Sequence, residues 1–301
     1  MDYKAPVEAY TGVVREVTIG KGKKSLKIGG ENILPLHFFD QGSNPNPAKF
    51  ALEVLDMEPQ DWPKHAVEPF RDVISNPVSW AKKCQSFAVD AVSLFLMSTD
   101  PAVKNAPADK AAALAKEVAE AINVPLIVYG SGDEKKDVEV LSKVAEVCDG
   151  MNLLIGPVLK ENYEAVGRAI LDHGHTAIAQ SPLDINLLKE LNVKLSKFFP
   201  SDRIVIDPLS SALGYGMEYS FSLVERVKQI GVITKDSMTM MPIIANLGVE
   251  CWKTKQAKEN KKQGLLWEGM TALSLLLAGA NIIVLRHPET LKLIKETIGA
   301  R

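Results

Sequence analysis

Residues 203–211 read Arg203-Ile204-Val205-Ile206-Asp207-Pro208-Leu209-Ser210-Ser211. A β-branched apolar run stops at an acid followed by proline. Unbroken apolar character, as opposed to alternation, marks a strand buried on both faces of a parallel sheet. Proline cannot continue a central ladder, and it holds the residue before it extended. Working outward, similar segments recur at Ile33–Phe39, Ala91–Met97, Pro125–Tyr129, Asn152–Ile155, Thr176–Ala179, Arg203–Ile206, Pro242–Ala245 and Ile282–Leu285. Five of their ends carry a residue before proline: Asp100-Pro101, Gly156-Pro157, Ser181-Pro182, Asp207-Pro208 and His287-Pro288.

Helical patterns lie between them. Leu114, Val118, Ala121 and Ile122 form one apolar stripe; Val138, Leu141, Ala145 and Cys148 form a second; Leu187, Leu188, Leu191 and Leu195 form a third. Asn76-Pro77 pairs a cap with proline at the first helical position, and His287-Pro288 opens the last helix similarly. Eight βα units at this spacing predict an α/β fold, a single (β/α)8 TIM barrel. A doubly wound open sheet is the rival; the count and the terminal strand–helix pair favour closure. Gly12–Ile28, centred on Lys21-Gly22-Lys23-Lys24, predicts an N-terminal β-hairpin. Such hairpins commonly plug a barrel's N-terminal mouth. The expected division is a hairpin extension over residues 1–32 and the barrel over 33–301.

Composition narrows the function. The chain has 301 residues, 46% of them hydrophobic, and a formal net charge of -2, so neither nucleic acid nor membrane is an expected partner. Cys84, Cys148 and Cys251 are far apart, and no C-x-x-C occurs. That predicts buried free thiols and no cluster or metal held by this chain alone. The N-terminal residues show no apolar h-region, and the longest apolar run, Ala272–Ala280, is shorter than the ~20 residues of a membrane span. The expected location is cytoplasmic.

In a barrel, the loops after the strands build the site. Asp100, Ser181, Asp207 and His287 are therefore presented at one rim, although each residue alone also suits a strand end or helix cap. Gly130-Ser131-Gly132, ahead of Asp133, offers backbone N–H groups to an anion or carbonyl. Ser210, Ser211, Gly214, Tyr215 and Gly216 form a loop that a flat ligand can approach closely. Asn246, in Asn246-Leu247-Gly248, can donate and accept at once. The chain lacks D-x-H-x-x-G, G-x-S-x-G and H-E-x-x-H, and Gly20–Ser25 only imitates a phosphate loop at a hairpin tip. His173 and His175 flank Gly174 in a helix-to-strand connection, where no metal is expected. Lys253, Lys255, Lys258, Lys261 and Lys262 read as a solvated helix face, or more sharply as a dock for an acidic partner.

Four segments carry a family resemblance. They are Ser98–Pro101, Gly130–Asp137, Ser181–Asn186 and the long, specific stretch Asp207–Ser220. Together they resemble the small (delta) subunit of the corrinoid iron–sulfur protein of the acetyl-CoA decarbonylase/synthase (CO dehydrogenase/acetyl-CoA synthase) system. The likeness runs from about Ile33 to His287, with Glu250, Trp252 and Lys255 also fitting. It implies a barrel with no redox centre of its own. The partner would be a large corrinoid iron–sulfur subunit carrying a [4Fe-4S] cluster, with a corrinoid (cobamide) shared between that subunit and this rim. It also implies two further partners, a pterin methyltransferase that delivers the methyl group of methyltetrahydrofolate to cobalt(I), and acetyl-CoA synthase, which receives it. This chain would then cover the cofactor and catalyse no bond-making step. The alternative is an autonomous pterin-dependent methyltransferase barrel, with Asp100, Asp207 and Asn246 binding the pterin. A lyase or aldolase ranks last, because the apolar strand cores hold no Schiff-base lysine.

Overall fold

The computed structural model describes Tyr3, residues 7–34 and residues 41–299. It opens with an antiparallel hairpin of β1 (Val17–Ile19) and β2 (Leu26–Ile28), as expected. Then come β3 (Lys49–Leu55), α1 (Lys64–Val67), α2 (Pro77–Ser86), β4 (Ala91–Phe95), α3 (Ala108–Ala121), β5 (Leu126–Tyr129) and α4 (Glu134–Val147). The alternation continues through β6 (Leu154–Val158), α5 (Tyr163–Asp172), β7 (Thr176–Gln180), α6 (Ile185–Leu195), β8 (Ile204–Asp207) and α7 (Met217–Thr234). It ends with β9 (Ile244–Asn246), α8 (Gly248–Trp252), α9 (Lys255–Glu259), α10 (Lys261–Ala278), β10 (Ile282–Leu285) and α11 (Pro288–Gly299).

The eight strands from β3 to β10 form one parallel sheet in the order β8-β7-β6-β5-β4-β3-β10-β9. A single bridge, Ile206 to Ile243, joins its two ends. The barrel is thus all but closed, and its weakest seam lies between β8 and β9.

Two expectations need correction. The first barrel strand is Lys49–Leu55, whereas the sequence pointed to Ile33–Phe39. Ile33 and Leu34 are not in a strand, and residues 35–39 lie outside the described residues. Lys49–Leu55 contains Ala51, Leu52 and Glu53, which are helix formers, so its sequence does not announce a strand. Second, Gly156-Pro157 does not end its strand. It lies inside β6, where the register against β7 shifts between Ile155 and Val158, and that irregularity accommodates the missing N–H.

The hairpin sits at the N-terminal ends of the strands. Gly20 N donates to Asn152 O at 2.7 Å, and Arg15 N donates to Met240 O at 2.6 Å, just ahead of β6 and β9. Val17, Ile19 and Ile28 are fully buried in the common core. A buried clamp adds to this: Lys228 on α7 donates to Glu31 at 2.5 Å and to Asn281 at 2.6 Å. Burial pushes the Glu31 carboxyl up, but the Lys228 ammonium prevails and holds it below its ordinary value. The hairpin therefore closes the mouth opposite the expected site.

Local signals mostly hold. Asn76 caps α2 by accepting from Ser79 N, with proline at the first position. The three expected stripes lie on α3, α4 and α6, except that Leu187 is 39% exposed. Cys84, Cys148 and Cys251 are free and buried, and burial pushes all three thiols up, Cys148 to about 11. His175 is buried with both nitrogens engaged by Leu153 N and Ala145 O. Lys253 and Lys261 pair with Glu250 and Glu289, while Lys255, Lys258 and Lys262 face solvent.

Candidate functional site at the C-terminal rim

The rim is organised around Asp207, the last residue of β8. The Tyr129 hydroxyl donates to Asp207 Oδ2 at 3.0 Å, Gln180 Nε2 to the same oxygen at 3.0 Å, and Leu209 N to Oδ1 at 3.0 Å. Tyr129 ends β5 and Asp207 ends β8, so this bond crosses the barrel interior. Tyr129 is itself fixed by stacking on Phe95, with ring centroids 4.8 Å apart. Burial raises the Asp207 carboxyl above the ordinary carboxylate value, and the three donors oppose that rise. Burial, then the Asp207 charge, lifts Tyr129 well above a free phenol, so Tyr129 remains a neutral donor.

Above Asp207 lies a cavity of about 450 Å³, reached by Gln180, Asp207, Ser210, Ser211, Asn246 and Glu250. Buried Ser210 Oγ and Asn246 Oδ1 have no protein partner among the described residues. Unpaired buried polar atoms at a cavity wall are what an incoming ligand satisfies. A second cleft of about 410 Å³ shares Gln180, Pro182 and Leu209 with the first, and buried Ser181, its Oγ also unpartnered, lines it. A larger cleft of about 1090 Å³ lies on the outer wall beside α11, away from this cluster.

The lip is apolar. Leu183, Leu209, Val249, Tyr215 and Tyr219 are exposed by 37%, 43%, 43%, 51% and 68%. Leu209 also has φ +61, a left-handed conformation that costs a leucine about 1–2 kcal/mol. Its amide is held there by Asp207, so strain is spent to present an apolar side chain to solvent. The next turn matches the glycine-rich reading. Gly214 has φ +74 with open space around it, and Gly216 has φ +102 as it starts α7. Tyr215 OH donates to Gln256 Oε1 at 3.0 Å, tying this loop to α9.

The expected site residues separate into two sets. Ser181, Asp207, Ser210, Ser211 and Asn246 line the two clefts, with Gly214, Tyr215 and Gly216 in the loop that follows. Asp100 lines neither; its carboxylate accepts from Ala102 N at 2.7 Å within its own turn. Gly130, Ser131 and Gly132 correct an expectation. Their N–H groups are not free: Gly130 N donates to Gly156 O, while Ser131 N and Gly132 N both donate to Asp137 at 2.9 Å. The chain's own carboxylate occupies the place of an anion. A side chain at position 130 would overlap that carboxylate.

Two more pairs on this side escaped the sequence. Arg286, just after β10, donates from Nε and Nη2 to Glu53 at 3.1 and 2.9 Å, and its guanidinium lies 3.9 Å from the Trp62 ring centroid. Asp56, just after β3, accepts from Ser98 N at 2.8 Å and from Ser98 Oγ at 2.5 Å. Both rest on β3, the strand the sequence concealed. His287, expected at the rim, is fully buried against Trp252 and accepts from Glu289 N.

Comparison with known proteins adds a family to this geometry. Similarly folded solved structures include dihydropteroate synthase from Vibrio fischeri ES114, with TM-score 0.60 and 13% identity over 87% of this chain and 96% of that one. The Xanthomonas albilineans enzyme gives TM-score 0.59 at 13% identity over 86% and 95%. Likeness at that identity shows the barrel fold alone. In sequence, the chain is 33% identical to acetyl-CoA decarbonylase/synthase complex subunit delta 1 of Methanosarcina thermophila, over 97% of this chain and 71% of the relative. The delta subunit of Archaeoglobus fulgidus is 33% identical over 98% and 70%, and that of Methanopyrus kandleri 33% over 95% and 75%. The sequence profile of the CO dehydrogenase/acetyl-CoA synthase delta subunit matches residues 16–297. With that match over nearly the whole barrel, this chain belongs to the CO dehydrogenase/acetyl-CoA synthase delta-subunit family.

Proposed function

We propose that this delta subunit covers a corrinoid held by a large corrinoid iron–sulfur subunit, and that the C-terminal rim is the covering surface. The observation that carries this reading is strained, exposed Leu209 beside a cleft walled by the unpartnered Ser210 Oγ and Asn246 Oδ1 among the described residues. A cavity of about 450 Å³ suits a small heterocycle, so a corrinoid would lie across the mouth. Leu183, Leu209 and Val249 suit the apolar face of the macrocycle. Ser210 Oγ and Asn246 Oδ1 suit its amide fringe, since both lack a partner among the described residues and an amide N–H supplies one.

When bound, the corrinoid supplies a cobalt centre that accepts and donates a methyl group. The chain's own residues orient and exclude. Asp207, fixed by Tyr129 and Gln180, holds the Leu209 loop in place. The apolar lip keeps water from the covered face, which protects a strongly reducing centre. The [4Fe-4S] cluster belongs in this reading to the large subunit, and the pterin methyltransferase and acetyl-CoA synthase approach the same assembly in turn. Replacing Leu209 with Asp tests it. The variant should fold and bind the corrinoid-loaded large subunit at least about tenfold more weakly. Unchanged affinity would contradict the rim as the covering surface.

A second reading rests on Asp207 and Asn246 flanking a cavity of heterocycle size, in a fold shared with a dihydropteroate synthase solved with 7,8-dihydropteroate. There the chain would bind a methylated pterin itself. Calorimetric titration of the isolated chain with methyltetrahydrofolate separates the two: tight binding, or methyl transfer to free corrinoid, supports the second and overturns the first.

A further inference from the structure

The single bridge between β8 and β9 has a cause in the sequence. Ile206 pairs with Ile243, and Ile206 N donates to Pro242 O at 2.8 Å. In a parallel ladder, alternate residues of each strand bond to the same neighbour. The donors along this seam are therefore the amides of residues 204, 206 and 208 on one side and 242, 244 and 246 on the other. Positions 208 and 242 are both proline, which has no N–H to give. Pro208 removes the next bond toward the rim, and Pro242 the next bond toward the hairpin. Each other neighbouring pair of barrel strands is joined at three positions or more.

The two ends of the seam are held differently. Below the bridge, Met240 O accepts from Arg15 N at 2.6 Å, so the hairpin grips the entry to β9. Above it, the loops carry the ties. Leu213 N donates to the buried Thr271 Oγ1 at 3.1 Å, and Tyr215 OH donates to Gln256 Oε1 at 3.0 Å. The second of these bonds is exposed, and water competes for both its partners.

The rim cavity lies across this seam. Asp207, Ser210 and Ser211 wall it from the β8 side, and Asn246, Val249 and Glu250 from the β9 side. Ser210 Oγ and Asn246 Oδ1, unpartnered among the described residues, thus belong to opposite walls. Parting the strands at the top widens the cavity.

We propose that the barrel opens at its rim along the β8–β9 seam, hinged on the hairpin, with the Tyr215–Gln256 bond as the latch. The rim cavity is then a gated site. A ligand enters while the seam is parted, and by bonding to both walls it holds the seam shut. The gate is a property of this chain alone and is independent of what covers the rim.

Two amides make a matched comparison. Ile206 and Val92 are both fully buried, and each donates to the carbonyl of a proline leading into the next strand, Pro242 at 2.8 Å and Pro125 at 3.1 Å. The test is hydrogen exchange of the full chain, read residue by residue and corrected for intrinsic rates. Ile206 should exchange on the order of 100-fold faster than Val92, although its bond is the shorter. Tyr215→Phe, a change at an exposed side chain, should speed Ile206 about fivefold more and leave Val92 unchanged. Equal exchange at the two amides would overturn the proposal. So would fast exchange at Ile206 that Tyr215→Phe does not alter.

Discussion

The Tyr129 hydroxyl meets Asp207 Oδ2 at 3.0 Å across the inside of the barrel, tying the ends of β5 and β8 together beneath the rim cavity. Removing it with Tyr129→Phe leaves a buried carboxylate one donor short. The variant should lose about 1–3 kcal/mol in urea denaturation at neutral pH. The Asp207 carboxyl should rise further, since a bond favouring its charged form is gone.

Leu209 supplies a prediction with opposite signs in two assays. Asparagine tolerates φ +61 far better than leucine, so Leu209→Asn should stabilise the isolated chain by about 0.5–1 kcal/mol. It should also weaken capture of the corrinoid-loaded partner. Stability is read by denaturation and capture by calorimetry. Loss of both together would mean that the leucine is a packing residue.

The Glu53–Arg286 pair is buried on both sides, with side chains 1% and 6% exposed. Arg286→Met strands the Glu53 charge and should cost about 3–5 kcal/mol. Adding Glu53→Gln should recover part of that loss, giving a coupling that a double-mutant cycle reads. Gly248→Ala should also destabilise, because its methyl would overlap the Glu53 carboxylate.

Acid stability follows from two histidines. Burial lowers His175 and His287 from 6.5 to about 4 each. Both are neutral in the folded chain and protonate more readily when it unfolds. Their contribution is fully present above pH 6.5 and is lost as the pH falls toward 4. The loss is on the order of a few kcal/mol per histidine. His175→Asn should lower stability at neutral pH and flatten the melting-temperature profile between those two values.

The barrel was legible because fully buried strands are monotonous in sequence. Val205 and Ile206, or Ile282 and Ile283, leave no second reading. Lys49–Leu55 was not legible: Ala51, Leu52 and Glu53 suit a helix as well, and Glu53 points to a partner 233 residues away. The rim loop from Asp207 to Tyr219 showed itself through Pro208 and its two glycines. What stayed hidden was pairing. Nothing local marks Gln180 as a donor to Asp207, and nothing in Gly130-Ser131-Gly132 says that Asp137, on the following helix, has already taken the N–H groups of Ser131 and Gly132.

The most direct test of the covering role is purification of the native chain under strictly anaerobic conditions, followed by metal analysis. The account predicts a red complex in which cobalt and iron accompany this chain through a second, larger subunit, and in which Leu209→Asp lowers the recovered cobalt. A colourless preparation without cobalt, in whatever oligomeric state, would contradict it.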